Sequence, residues 1–315
     1  MSASLIRSCL QVSSLLAFSL SNAQLRFDPV FSDHMVLQRD RPIRIFGTAP
    51  PGASVLLRFA DQEGRSSADA NGRWSLNLPA RRADTTAHDL KVASGSDTIT
   101  LRDLLVGDVW LCIGQSNMEW PMQREAHFAE ERVRPMPSIL RWRNPDYAGK
   151  GFYGTPFTPQ VLRRLQADSF YQGEWTRADQ RSLPSMSAVA YYTGRTLTDR
   201  TGVPVGLINL SIGGAPLETF IDPKSMAADP RFASKVSGDW LENPDLPDWV
   251  KVRGRQNVGD LPDVPSGTIG KAHPFRPGFA YEGGIKPLLQ LPIRGILCYQ
   301  GESNAQEPAR VAEYG

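Results

Sequence analysis

The chain has 315 residues, 41% hydrophobic and 22% charged, with a formal net charge of +2. That length suits one large domain or two ordinary ones. So even a charge balance gives no basic surface for nucleic acid or an anionic membrane. No apolar run reaches the roughly 18 residues that a membrane-spanning helix needs.

Residues 1–23 read as an export signal, so a periplasmic or extracellular protein is expected. Arg7 gives a basic start, "CLQVSSLLAFSL" an apolar stretch, and Ser21 and Ala23 small residues for cleavage before Gln24. A buried N-terminal helix is the alternative. Cleavage would remove Cys9 and leave Cys112 and Cys298. Each of these ends an apolar run, so both read as buried, unpaired strand thiols. No Cys-x-x-Cys pair, no His-Glu-x-x-His and no other metal-ligand spacing occurs, so neither a metal nor another cofactor is expected.

From residue 24 to 104 the pattern is short and strand-like. "MVLQRD", "IRIFGTA", "SVLLRFA", "RWSLNLP", "HDLKVAS" and "DTITLRD" are separated by Pro- and Gly-rich turns. Such spacing predicts a small β-sandwich, with a tight hairpin at Asn71-Gly72. No group of chemically active residues stands out here, so scaffolding is preferred to sugar binding.

Residues 105–315 change rhythm. "LLVGDVWLCIG" predicts a strand buried on both faces. "SAVAYYTGRTLTDRTG" predicts a helix with Ala188, Tyr191, Tyr192 and Leu197 inward and Gly202 at its end. "VPVGLINLSIGG" is a second buried strand, "IKPLLQL" a short helix and "IRGILCYQG" a third buried strand. Alternating strands and helices make a parallel α/β sheet, whose chemistry gathers beyond the carboxyl ends of its strands. Residues 229–280 and "RNPDYAGKGFYGTPFTPQ" read as long surface excursions.

Three strand ends carry unusual polar groups. The first holds Gly114, Gln115, Ser116 and Asn117. The second holds Gly213 and Gly214. The third holds Gln300, Glu302 and Asn304. Each alone is ordinary: a polar turn, a loop, a satisfied polar edge. In a parallel sheet they share one edge, where a serine hydroxyl, a glycine turn and a carboxamide can meet. Acyl transfer requires that set, because a hydroxyl attacks the ester and N–H groups hold the oxyanion. Met118 stands two places after Ser116, so the Gly-x-Ser-x-Gly elbow of α/β-hydrolases is absent.

The blocks "FSDHMVLQRDRPIRIFGTAPPGASV", "ADANGRWSLNLPA", "LLVGDVWLCIGQSNMEWPM", "SAVAYYTGRTL", "GVPVGLINLSIGG" and "PIRGILCYQGESNA" occur in order from about Phe27 onward. Together they resemble the sialate O-acetylesterase family of the Ser-Gly-Asn-His hydrolases. The resemblance implies an α/β fold: a small β-sandwich followed by a flavodoxin-like, three-layer parallel-sheet esterase domain. It implies removal of O-acetyl groups from sialic acids or similar sugars, without a metal. It also implies Ser116 as nucleophile, with the N–H groups of Ser116 and of Gly213 or Gly214 in the oxyanion hole. The side chain of Gln300 or Asn304 would be a third donor, while Gln115, Asn117 and Glu302 support the loops. Cys298 and "SIGGAP" depart from the family's usual tryptophan and "SWGGT", which leaves the sugar preference open.

A serine hydroxyl needs a base. None of His34, His88, His127 and His273 occupies the family's catalytic position, which follows the "GESN" block with an aspartate shortly before it. The chain reads as a hydrolase missing its C-terminal part and its base, so weak or no turnover is expected of it. His273 is the fallback base. An acetylxylan-type esterase is an alternative, and so is a non-catalytic sugar binder using Trp142, Trp175, Trp240 and Trp249.

Overall fold

The computed structural model describes residues 24–306. The export segment expected over 1–23 lies outside the described residues. Strands β1 (Arg26–Phe27), β3 (Ile43–Thr48) and β6 (Arg73–Leu78) form one antiparallel sheet in the order β1-β3-β6. A second antiparallel run joins β5 (Gln62–Ser67), β4 (Ser54–Phe59), β7 (Asp84–Ser94) and the start of β8 (Asp97–Gly114). Strict alternation puts Trp74, Leu76 and Leu78 of β6 inside, and Val55, Leu57 and Phe59 of β4 as well. These rows meet in one core with Ile45, Leu90 and Val92.

Asn71-Gly72 forms a tight turn, with Gly72 at φ 74°. Asp69 Oδ1 accepts the N–H groups of Asn71 and Arg73 at 2.8 and 2.9 Å. The expected hairpin is corrected, however: β5 pairs with β4 and β6 with β3, so the turn carries the chain from one sheet to the other. Gly64 explains the face-to-face arrangement. It has no side chain, and a Cβ there would stand 2.7 Å from Leu76 Cδ2.

Strand β8 continues without a break through residue 104 into a central sheet. There it pairs in parallel with three strands: β2 (Val36–Gln38) at residues 105–107, β11 (Val205–Asn209) at 108–112 and β12 (Gly295–Tyr299) at 110–114. Beyond β11 lies β9 (Leu140–Arg143), parallel to it, and then β10 (Trp175–Arg177), antiparallel. The protein is therefore a mixed α/β fold around a mostly parallel central sheet. Period-two alternation sends Val109, Leu111 and Ile208 into one core, and Cys112, Val205 and Leu207 into another.

After β8 the chain enters a short helix, α1 (Ser116–Glu119). The longer helix α2 (Ala188–Thr201) covers one face of the sheet. Ser187 caps it, its hydroxyl accepting the Ala190 N–H at 3.2 Å, and Gly202 ends it at φ 65°. Its buried stripe is Ala188, Tyr191, Arg195 and Thr198, while Tyr192 and Leu197 are only half-buried. Arg195 is tolerated inside because it donates to Tyr191 Oη at 2.8 Å and to the Pro135 carbonyl at 3.1 Å.

The expectation of a third strand buried on both faces is corrected at β12. It has a strand partner on one side only, and Ile296, Cys298 and Tyr299 are exposed. Among the described residues, both cysteines are free. Cys112 is buried, with its thiol pushed up to about 12 by burial, whereas Cys298 is exposed. Its row, with Ile296, has no covering layer among the described residues. No described helix is long and apolar enough to cross a membrane.

Candidate active site

The three strand ends meet. Gly114 closes β8 at φ 139°, and a Cβ there would run into the Tyr299 carbonyl, so glycine allows the close approach of β12. The next N–H, of Gln115, donates to Tyr299 O at 3.2 Å, and Ile212 N–H donates to Gly114 O at 3.0 Å. The "SIGG" and "QGESN" loops thus leave their strands on either side of Gln115.

Gln115 is 4% exposed and ties the loops together. Its Oε1 accepts the Ser303 N–H at 2.7 Å and Gln300 Nε2 at 3.2 Å. Its Nε2 lies 3.4 Å from Ser116 Oγ, which accepts from it weakly. Ser303 Oγ donates to Gly214 O at 3.2 Å, and Asn117 Nδ2 donates to Glu302. Every predicted site residue therefore belongs to one network or borders it. Ser116 itself is exposed, at the first position of α1, where a helix N–H has no carbonyl one turn back.

Gln300 and Asn304 are more committed than the sequence suggested. Gln300 Nε2 also donates to Ala215 O at 2.9 Å, with Asn304 Oδ1 at 3.4 Å. Asn304 is 4% exposed; its Oδ1 accepts the Leu217 N–H at 2.9 Å, and its Nδ2 donates to Glu218 Oε2 at 3.0 Å. Glu218 in turn pairs with Lys235 at 3.0 Å, at 0% and 2% side-chain exposure. The two amides hold loops in place: Gln300 Nε2 has acceptors for both of its N–H groups, and Asn304 Nδ2 gives one of its two to Glu218.

Glu119, three residues after Ser116, fills the space beside Gly213. A Cβ on that glycine would stand 2.5 Å from Glu119 Oε2. Lys150 Nζ pairs with Glu119 Oε1 at 3.0 Å, and Tyr147 Oη donates to Oε2 at 3.4 Å. Burial first, then the Glu119 charge, push the Tyr147 phenol well above its ordinary range, so it remains a neutral donor. The spacing of Glu119 from Ser116 on one helical turn was a usable signal for its presence here. Lys150 comes from an irregular loop and Glu218 and Lys235 from short 3₁₀ turns, and none carried a sequence signal.

His273 is corrected as a base. It is 1% exposed, and both ring nitrogens are occupied: Nδ1 accepts the Phe275 N–H at 2.9 Å, and Nε2 faces Asn257 Oδ1 at 3.0 Å. Accepting at Nδ1 places the proton on Nε2, so no lone pair is left. Burial first, then Arg253 and Arg276, hold its pKa down to about 3. His34 pairs with Asp103 and His88 with Asp84, while His127 lies near Glu130. The sugar-stacking expectation is corrected too. Trp142, Trp175 and Trp240 are at most 2% exposed, and Trp249 Nε1 donates to Ser303 O at 3.2 Å.

No family model matches the chain. Sialate O-acetylesterase of Mus musculus is 25% identical over 299 residues, which cover 89% of this chain and 52% of that protein. The Homo sapiens protein of the same name is 26% identical over 306 residues, covering 89% and 49%. The crystal structure of a carbohydrate acetylesterase from Xanthomonas citri matches with a TM-score of 0.66 at 27% identity, over 90% of this chain and 52% of that one. The chain spans about half the length of the curated relatives it matches. Over 89% of its own length it is similar to the sialate O-acetylesterases, the family its motifs resemble.

Proposed function

We propose that the chain carries the nucleophile and oxyanion elements of an exported serine carboxylesterase that removes O-acetyl groups from sialic acids or related acetylated sugars. The observation that carries this reading is the convergence at Gln115, which sets exposed Ser116 between the glycine turn and the "QGESN" loop. Ser116 Oγ attacks the acetyl carbonyl carbon, and the carbonyl oxygen becomes an oxyanion. The Ser116 N–H and a backbone N–H of the Gly213-Gly214 turn stabilise it. The tetrahedral intermediate collapses, the sugar hydroxyl leaves with a proton, and water then releases acetate from the serine. Gln300 and Asn304 act in this reading as supports for the loops.

In this reading the base is a group outside the described residues, a view supported by the absence of a hydrogen bond from any described histidine to Ser116 Oγ. The flavodoxin-like architecture, the division at 104/105 and export by residues 1–23 belong to the same proposal. The test is hydrolysis of an O-acetylated sialic acid by the full chain, with and without added imidazole as an external base. Acetate release that imidazole raises, and that Ser116→Ala removes, supports the reading. Equal release by the variant rejects it. A purely sugar-binding role loses its support with the burial of Trp142, Trp175 and Trp240.

A further inference from the structure

Arg253 lies near the end of the helix Asp248–Gly254. With Tyr153, Phe275 and Gly213 it lines a narrow cleft of about 20 Å³, room for the tip of a ligand and not for a sugar ring. Gly213 is the wall that this cleft shares with the proposed site, since Glu119 of the Ser116 helix packs against that glycine.

The charge balance of the cleft is unusual. Of the other cations nearby, Lys150 pairs with Glu119, and Arg276, which acts on His273 in the same cleft lining, donates to the Gly270 carbonyl at 3.2 Å. Among the described residues Arg253 has neither an ion-pair partner nor a hydrogen-bond acceptor, and its Nε is buried without one. Its guanidinium sits 5.4 Å from the centroid of the Tyr153 ring, and that tyrosine is 64% exposed. A guanidinium presents a planar fork that matches a carboxylate with two parallel hydrogen bonds. A partly desolvated guanidinium with unused donors beside an open aromatic face suits an anionic ligand that also has an apolar surface. Sialic acids carry a ring carboxylate, whereas the acetylated units of xylan are neutral.

We propose that Arg253 receives the carboxylate of an acidic sugar, so that this site selects O-acetylated sialic acids over neutral acetylated sugars. The inference rests on the esterase reading for its substrate, but its test does not require turnover. Binding of N-acetylneuraminic acid and of its methyl ester to the full chain is measured by titration calorimetry or ligand-observed NMR. The unaltered chain binds the acid at least about tenfold more tightly than the ester. Arg253→Gln removes that preference, and Arg253→Lys, which keeps the charge but not the fork, restores part of it. An acid-to-ester ratio near one in the unaltered chain, or a ratio that Arg253→Gln leaves unchanged, overturns the proposal. Failure to bind the acid at all overturns it as well. A preserved ratio response without acetate release instead counts against the esterase reading alone.

Discussion

Gln115 Oε1 accepts the backbone N–H of Ser303 at 2.7 Å, although the two residues lie 188 positions apart. That bond fixes the loop after the last described strand against the turn that presents Ser116. Ser303 is 2% exposed, so water does not compete for its N–H. The side chain next to the proposed nucleophile therefore acts as a clamp on the opposing loop.

Gln115→Leu keeps the volume and removes the acceptor. It leaves the Ser303 N–H buried without a partner, which costs about 1–3 kcal/mol. Chemical denaturation of the full chain reads this loss. Hydrogen exchange should show faster opening at 301–304 than in the β3–β6 sheet.

Lys235→Met tests the support beneath Asn304. It removes the ammonium that pairs with the buried Glu218 carboxylate, whose Oε2 still accepts from Asn304, and costs about 3–5 kcal/mol, as expected when one member of a buried ion pair is removed. The double variant Lys235→Met with Glu218→Leu should recover much of that loss. A single variant as stable as the parent would contradict the account of this pair.

Gly114→Ala and Gly213→Ala test two different constraints. At Gly114 the φ of 139° alone costs an alanine about 1–3 kcal/mol, before its Cβ meets the Tyr299 carbonyl. At Gly213 the obstacle is the Glu119 carboxylate, which must move. Thermal melting should therefore show the larger drop for Gly114→Ala. The Gly213 variant should partly recover when combined with Glu119→Ala.

His273 gives a pH dependence of stability. Its folded pKa, about 3, lies below the ordinary histidine value, so between about 6.5 and 3 the unfolded chain binds a proton that the folded chain does not. This contribution leaves stability unchanged above about pH 6.5 and lowers it progressively as the pH falls toward 3. Urea midpoints measured from pH 7 to 4 should fall for the parent and fall less for His273→Gln.

Much of the site was legible because its elements obey local rules. Apolar runs ended in Gly114, Gly213 and Gly301, and parallel strands necessarily bring such ends to one edge. Helix α2 announced itself through its apolar spacing and Gly202. What escaped depends on long-range packing. The Asn71-Gly72 turn obeys its local chemistry, but which strands it joins is decided by Leu76 lying on Gly64. An apolar run such as "GILCY" specifies a strand, and only its neighbours decide that Cys298 is exposed. Arg253 and Lys150 arrive on irregular loops or short helices with no periodicity to place them beside Gly213.

Locating the acyl group tests Ser116 as the nucleophile. The full chain is treated with p-nitrophenyl acetate and imidazole, digested and examined by peptide mass spectrometry, with Ser116→Ala in parallel. Acetylation is expected at Ser116, with p-nitrophenol release above the imidazole background in the parent only. Acetylation confined to other residues, or equal release by Ser116→Ala, would contradict it.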